Sequence, residues 1–417
     1  MRSLHRRAGA VALVAAMTPL TTIAAPPVER LSAHIEELRD NLIELRRDLH
    51  RHPEISGQEE RTAKVLAERL EALGLEVTTG VGGHGVVAIL RGAKPGGVVG
   101  FRADMDATVS MMPDPVTEIA STIPGVRHIC GHDVHMAVGL GVAEALVALR
   151  EELPGTVKFI FQPAEENAQG AKAMVADGAL DSPTPEAIFT VHTVPMPVGQ
   201  IGAVEGVTLV GRDMATVRIE GEGDRKAASQ AVAELLTAAT TLEMPGSFAE
   251  LAAMPLPSEE FALVQVLRTR PGEVAAQVTV RGDLSRKQAK ADIERRLAAL
   301  EHEGLSFELD YQPKAVAGVY SDPALVRASH DAIRAALGDD GLVADAPGAG
   351  PIFSEDFGSF LETIPGAMFW LGVANPEKGI SGMPHSPDHV VDEAAIEAGA
   401  KAMAAVVWDF LESRGES

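Results

Sequence analysis

Cysteine is nearly missing from this chain: Cys130 is the only one among 417 residues, so no disulfide can form within it. Aromatic residues are also scarce, at 4% with two tryptophans and two tyrosines, which points away from an aromatic-rich sandwich and toward an α/β core packed from Ala, Val and Leu. Positive charge is outnumbered, with 36 Lys and Arg against 59 Asp and Glu and a net charge of −23, so the basic face that a nucleic-acid partner requires is not expected. Beyond the N-terminus no apolar run approaches the roughly 20 residues of a membrane span. There is no Gly-x-Ser-x-Gly elbow, no His-Glu-x-x-His and no Walker A lysine loop, which removes serine-hydrolase, helix-borne zincin and P-loop readings. Gly80-Val-Gly82-Gly83-His84-Gly85 fits the dinucleotide fingerprint, but a strand follows where a helix is needed to hold a pyrophosphate, so the segment reads as a turn.

What remains is an ordinary globular composition, 46% hydrophobic and 23% charged, with chain enough for one large domain or two smaller ones. The N-terminus has its own character. Arg2, His5, Arg6 and Arg7 precede an apolar stretch from Ala8 to about Ile23, then Ala24, Ala25 and Pro26. That three-part layout is expected of a secretory signal peptide over residues 1–25, with export to the periplasm or beyond and no membrane association after cleavage.

Helical spacing marks Ile35 to Arg47 and Gln58 to Leu73, and Gly74 closes the second helix. Short apolar runs then alternate with helical stretches: strands at Val86 to Leu90, Val98 to Phe101, Val157 to Phe161 and Ala187 to Val191, and helices at Met136 to Leu149 and around Ala171 to Asp177. Such alternation predicts a mainly parallel sheet covered by helices. After about Val207 the order becomes β-α-β-β-α-β, with strands at Met214 to Ile219, Phe261 to Leu267, Val274 to Val280 and Ser306 to Tyr311, and helices at Ala227 to Leu242 and Lys287 to Leu300. That is the ferredoxin-like order. Chain after Tyr320 returns to the first pattern, with a helix from Pro323, a strand at Ala367 to Val373 and a last helix from Glu393 to Leu411. The expected organisation is one α/β domain, 30–207 with 321–417, interrupted by a smaller inserted domain, 208–320.

Polar residues gather where the first strands end: Asp104 and Asp106 after Val98 to Phe101, Glu165 and Glu166 after Val157 to Phe161, and His192 closing the Ala187 strand. In an open parallel sheet these loops share one crevice. Cys130, His132, Asp133 and His135 open a helix beside them and supply the sulfur and imidazole donors that suit zinc and related divalent metals. Each residue alone has an ordinary structural reading. A thiol, several histidines and paired acids on converging loops are harder to obtain by accident, and a metal site is expected. Adjacent glutamates also suit hydrolysis, because one can bind metal while the other takes a proton from the activated water.

At this point the sequence resembles the aminoacylase and carboxypeptidase family of co-catalytic metallopeptidases, within it the hippurate hydrolase and indole-acetyl-amino-acid hydrolase type. The resemblance lies in His50-Arg-His52-Pro-Glu54, Arg102-Ala-Asp104-Met-Asp106, Cys130-Gly-His132-Asp133-Val-His135, Gln162-Pro-Ala-Glu165-Glu166, Val191-His192, Ser354-Glu355-Asp356-Phe357 and Met383-Pro-His385-Ser-Pro. It implies two divalent metal ions, zinc or manganese, held by Cys130, His132, Glu166, His192 and His385, with Glu165 as general base and Asp104 supporting the site. His135, Asp133 and His389 are candidates to hold the second ring nitrogen of the ligand histidines. The implied activity is cleavage of an amide in an N-acyl amino acid or similar small conjugate. A small-peptide carboxypeptidase or dipeptidase is the alternative within the class, and a catalytically weakened metal-binding protein the alternative outside it. The insert is compatible with a lid and with a homodimer.

Two expected features of that family are missing from the insert. A Gly-Gly-His segment, whose histidine reaches the substrate carbonyl, is replaced by Gly221-Glu-Gly223-Asp224-Arg225-Lys226, and an Asn-Val-Ile-Pro segment by Arg268-Thr-Arg270-Pro271-Gly272. Arg225, Lys226, Arg268 and Arg270 are conceivable substitutes, with solvated surface charge the equally good reading.

Overall fold

The structure, a computed structural model, describes residues 25–242, 250, 254, 258–301 and 303–415. Apart from Ala25, the expected signal segment lies outside the described residues. Among the described residues no helix is long and apolar enough to cross a membrane.

Helix α1 (Pro27–Arg51) is longer than its periodicity suggests, because Pro27 at its first turn has no N–H to lose and already holds a helical φ. Its stripe of Leu31, Ile35, Leu42, Leu45 and Leu49 is fully buried, at roughly 1.5–3 kcal/mol per side chain. After α2 (Glu60–Ala72) the chain forms β1 (Glu76–Val81), which its mostly polar sequence hides, and turns through Gly82 and Gly83 into β2 (Gly85–Arg91). The glycine-rich segment is therefore a hairpin turn. There follow β3 (Lys94–Asp104), α3 (His132–Ala148), β4 (Pro154–Gln162), α4 (Gly170–Ala176), β5 (Ala187–Pro197) and β6 (Ile201–Ala203).

The next stretch carries β7 (Gly211–Gly221), α5 (Arg225–Thr237), β8 (Ala262–Arg270), β9 (Glu273–Val280), α6 (Asp283–Ala298) and β10 (Leu305–Val316). The chain closes with α7 (Pro323–Leu337), β11 (Leu342–Val343), β12 (Gly366–Ala374) and α8 (Ala394–Gly415).

Eight strands form one sheet in the order β1-β2-β4-β3-β5-β12-β6-β11. Its centre, β4-β3-β5-β12, is parallel, while β1, β2 and β6 pair antiparallel to their inner neighbours. The expected mainly parallel sheet is present. Apolar cores lie on both of its faces, one built with α1, α2, α3 and α8, the other with α4 and the 346–368 region. Helix α3 is buried on nearly every side, which explains its small, apolar sequence: Gly139 packs on Phe161, and Gly141 fits between Leu42 and Ala400 where a Cβ would lie 2.8 Å from Leu42.

A second sheet, β8-β9-β7-β10, is wholly antiparallel and has the ferredoxin-like β-α-β-β-α-β order. Its odd-numbered β7 residues Ala215, Val217 and Ile219 join α5 and α6 in a third core, so Arg212, Met214 and Thr216 belong to the opposite face. Helix α5 stops at Thr237, five residues short of the periodic stretch, and Thr240 and Thr241 turn to hydrogen-bond along β8.

Strand β3 connects through α3 to β4 on one side, and β4 crosses back over β3 to β5 on the other. The crevice between the carboxyl ends of β3 and β5 is therefore the switch point where an open α/β sheet binds ligands.

Candidate metal centre

Three backbone segments deliver donor atoms into that crevice. The first is the entry to α3. Gly131 has a φ of +93°, and a Cβ there would lie 2.4 Å from the Thr193 hydroxyl oxygen, so glycine is required for the bend that turns both Cys130 and His132 inward. The second is the loop after β4, where Ala164 (φ +55°) and Ala168 (φ +56°) wrap the chain tightly around Glu165 and Glu166. The third is β5. His192 does not close this strand, as expected from sequence, but lies within it: β3 pairs only as far as Thr190, whereas β12 continues alongside His192 to Val194 and, past a bulge, Pro197. The unpaired edge leaves His192 facing the crevice. His385 comes from a loop before α8, in a left-handed conformation (φ +57°) fixed by its N–H donating to the Ile129 carbonyl at 2.7 Å.

All five side chains expected to bind metal are brought together. The donor atoms of Cys130, His132 and His192 lie within 4.8 Å of one another, and so do those of Cys130, Glu166 and His385. Cys130 belongs to both groups, with its Sγ 3.5 Å from His192 Nε2. Glu166 Oε1 is 3.5 Å from His385 Nε2. The neighbouring Glu165 points elsewhere, with its Oε2 3.7 Å from His132 Nε2 and its carboxylate grouped with Asp106 and His132 and with Glu355 and Asp356. The two glutamates thus face different partners.

Ring tautomers leave the right nitrogens free. His132 Nδ1–H donates to the main-chain carbonyl of Asp106 at 2.8 Å and His192 Nδ1–H to that of Thr193 at 2.9 Å. His132 Nε2 is buried without a partner. This corrects the expectation for His135, Asp133 and His389, none of which holds a ligand histidine. His135 donates Nδ1–H to Asp104 at 2.6 Å and accepts the Thr193 N–H on Nε2 at 2.9 Å, which uses both nitrogens. Asp133 receives Arg46 at 2.8 Å and His50 at 2.7 Å, and His389 Nδ1 bonds the Met383 carbonyl at 3.0 Å. Backbone carbonyls orient both rings, with the Asp106 carboxylate adding a second contact to His132 Nδ1 at 3.2 Å.

Asp104 supports the site through a buried network that sequence reasoning left unassigned. Arg102 donates to Asp104 at 2.6 Å, Glu355 at 2.6 Å and Gln162 at 2.8 Å, and Gln162 holds Asp356 at 2.6 Å. Arg102 is wholly buried. Glu59 accepts the N–H groups of Gly57 and Ala164, both at 2.8 Å, and so fixes the turn that carries Glu165. Ser56 and the Glu166 N–H both donate to Asp106, at 2.7 and 2.9 Å.

The electrostatics call for a cation. Burial raises the Glu165 carboxyl well above its usual range, and the charge of Glu355 adds to the shift. Burial brings Glu166 up to about 7, and burial with Glu355 brings Asp356 up to about 8. Burial pushes the Cys130 thiol up and lowers His192 to about 3 and His385 to about 4, so both imidazoles are neutral lone-pair donors near neutral pH. Crowded carboxylates, a thiol and imidazoles whose Nε2 atoms face one another's donor groups form a set suited to divalent metal.

A profile of peptidase family M20/M25/M40 matches residues 100–409. The chain belongs to this family. The M20 assignment is supported by relatives along nearly the whole length. The probable hydrolase sll0100 of Synechocystis is 34% identical over 395 residues, covering 91% of this chain and 98% of that one. The N-acetylcysteine deacetylase of Bacillus subtilis is 31% identical over 388 residues, with 89% and 97% covered. Among solved structures, the YXEP protein of Bacillus subtilis, described as a dinuclear metal-binding peptidase of family M20, superposes with a TM-score of 0.73 at 29% identity over 91% of this chain and 99% of that one. The protein is accordingly a metal-dependent hydrolase of the M20 family, as the sequence motifs implied.

The four cations named as substitutes for the missing insert residues lie elsewhere in their interactions. Arg225 donates to the Gly221 carbonyl at 2.8 and 3.1 Å, Arg268 pairs with Glu273, and Arg225, Lys226, Arg268 and Arg270 are all exposed.

Proposed function

We propose that this hydrolase cleaves the amide bond of N-acyl amino acids, with Cys130, His132, Glu166, His192 and His385 holding two divalent metal ions and Glu165 acting as general base. The observation that carries the reading is the division of the paired glutamates: Glu166 lies with the Cys130 and His385 donors, while the Glu165 carboxylate has no hydrogen-bond partner among the described residues and faces His132. When bound, the metals supply an acidified water and positive charge for the developing oxyanion. The Glu165 carboxylate would accept a proton from the attacking water and return it to the departing nitrogen, which would leave as an amine. Asp104, clamped by Arg102 and His135, keeps negative charge beside the donor set. The unit 208–320 closes over the crevice and excludes bulk water.

N-acyl amino acids are favoured over peptides by the name of the deacetylase relative, whereas the YXEP protein's description as a peptidase supports the carboxypeptidase or dipeptidase reading. Turnover of N-acetyl, N-benzoyl and indole-acetyl amino acids against dipeptides, with zinc or manganese added and with a chelator control, decides between them. Metal-restored turnover confined to the acyl amino acids is expected. Turnover confined to dipeptides transfers the site to peptidase chemistry, and stoichiometric metal with no turnover of either supports a binding protein.

We further propose that the chain is exported with loss of residues 1–25, on the basic, apolar and small-residue layout of its start. The intact mass of protein recovered from the periplasm or medium tests this. A mass that retains the N-terminal segment, or recovery only from cytoplasm, excludes it.

A further inference from the structure

The turn that opens α2 spends one of its carboxylates outside the helix it starts. Glu59 stands at the N-cap of α2, where a side chain ordinarily accepts the free N–H groups of the first turn. Glu54 does that work instead: its carboxylate accepts the N–H of Arg61 at 3.0 Å and both the N–H and the hydroxyl of Thr62, at 2.8 and 2.9 Å. Glu59 is thereby free to reach another segment. Its Oε1 accepts the N–H of Ala164, the residue before the general base, together with the N–H of Gly57, both at 2.8 Å. Glu59 is fully buried, and its Oε2 has no hydrogen-bond partner among the described residues. A buried carboxylate half satisfied by backbone N–H groups costs stability, which points to a role other than holding the fold together.

The segment that Glu59 holds does not keep its shape by intrinsic preference. Ala164 has a φ of +55°, a left-handed conformation in which its Cβ crowds the backbone. Within the loop, the Ala164 carbonyl accepts the N–H groups of Gln169 and Gly170 at 3.2 and 3.0 Å, and the Glu165 carbonyl accepts that of Ala168 at 2.7 Å. From outside the loop, Ala164 N–H is held by Glu59 and Glu166 N–H by Asp106 at 2.9 Å, one on each side of the base. Both acceptors belong to one frame. Ala107 N–H donates to the Glu54 carbonyl at 2.7 Å and the Ser56 hydroxyl to Asp106 at 2.7 Å, which ties the 54–59 turn to the end of β3. Asp106 thus anchors the ligand Glu166, and Glu59 anchors the approach to Glu165.

We propose that Glu59 is the positioning residue of the general base: by fixing the left-handed turn at Ala164 it aims the Glu165 carboxylate at His132 and keeps it out of the donor group of Cys130, Glu166 and His385. The proposal rests on the amide-hydrolase reading above. What the turn needs is an acceptor oxygen of the right reach rather than a charge, since both bonds end on the single atom Oε1. Without that acceptor Ala164 returns to an ordinary conformation and Glu165 leaves the place from which it meets the water. An error of about 1 Å at a reacting group costs roughly 100-fold in rate.

The test uses the metal-loaded full chain and three substitutions at one position. Glu59→Gln keeps the acceptor and removes the charge, Glu59→Asp keeps the charge and shortens the reach, and Glu59→Met removes both at similar size. On the fastest N-acyl amino acid of the panel, kcat is expected to fall about 10- to 100-fold in Glu59→Asp and Glu59→Met, with KM and metal content unchanged, and most of the rate to return in Glu59→Gln. Adding Ala164→Gly to Glu59→Met restores part of the loss, because glycine adopts the left-handed turn without help. Hydrogen exchange of the metal-free proteins reads the same turn without turnover. Peptides covering residues 163–170 exchange about tenfold faster in Glu59→Asp and Glu59→Met than in wild type or Glu59→Gln, while those of α3 do not change. A residue that served the fold alone would lower the melting temperature without this order among the variants. Wild-type kcat in Glu59→Asp, a Glu59→Gln variant as slow as Glu59→Asp, or a loss of rate that follows loss of metal overturns the assignment. If Glu59→Met does not fold, Glu59→Asp and Glu59→Gln decide by the same criteria. If nothing on the panel is cut, the hydrolase reading fails separately, and unchanged exchange at 163–170 in Glu59→Asp overturns the positioning role.

Discussion

Glu165→Gln is expected to lower kcat by about 10²- to 10⁴-fold on the best panel substrate, the usual contribution of a positioned acid–base group. It is expected to leave two metal ions bound. The substitution keeps shape and removes only the ability to take a proton, and no hydrogen bond to the Glu165 carboxylate exists among the described residues that the amide would have to replace. Metal content by atomic emission and kcat by steady-state kinetics together check it. A variant that loses metal would place Glu165 among the ligands, and one that keeps its activity would remove the base from the mechanism. The sign of the pH effect follows from the same carboxylate. Burial and Glu355 raise it above the ordinary range in the metal-free protein and bound cations oppose that shift; a base works only when ionised, so kcat/KM falls as pH drops through the value the carboxylate holds in the metal-loaded enzyme. Glu165→Gln is expected to abolish this acid limb along with the rate.

Most of the site was legible because the sheet is parallel. Strands buried on both faces read as short apolar runs, and the polar residues that interrupt them at the carboxyl ends stand out, as Asp104, Asp106, Glu165 and Glu166 do. Elements with little apolar content were not legible in this way: β1 is mostly exposed, and β6 and β11 span only three and two residues. The polarity of His192 breaks the apolar run and so reads as a strand end, whereas pairing with β12 carries the strand past it. The ring partner of His192 is a backbone carbonyl, which has no sequence signature at all, whereas His132 meets both the carbonyl and the carboxylate of Asp106. Arg102 shows the same limit from the other side. An arginine in a strand reads as a solvated charge, and only the tertiary fold reveals this one buried among Asp104, Gln162 and Glu355.

Cys130 joins the two donor groups that together contain all five expected ligands. Its sulfur belongs to both donor groups, whereas His192 belongs to one and Glu166 with His385 to the other. Cys130→Ser is therefore expected to weaken the binding of both ions, by more than the roughly 10- to 100-fold that follows from losing a residue which merely supports a ligand. Serine nearly preserves volume but offers a hydroxyl that does not ionise as a thiol does. Burial also pushes the Cys130 thiol well above its ordinary value, so in the absence of metal it stays protonated, and binding must expel that proton. His192 and His385, already neutral near pH 7, contribute no such release. Wild-type metal affinity should rise about tenfold per pH unit for the thiol proton alone, and Cys130→Ser should lose that dependence together with the affinity. Titration against a competing chelator at three pH values checks both effects, and the melting temperature of each metal-free protein shows whether the fold is intact. Loss of one ion with the other retained would mean that the sulfur serves a single metal. Retention of both would remove Cys130 from the ligand set and leave this solitary buried thiol as a packing residue.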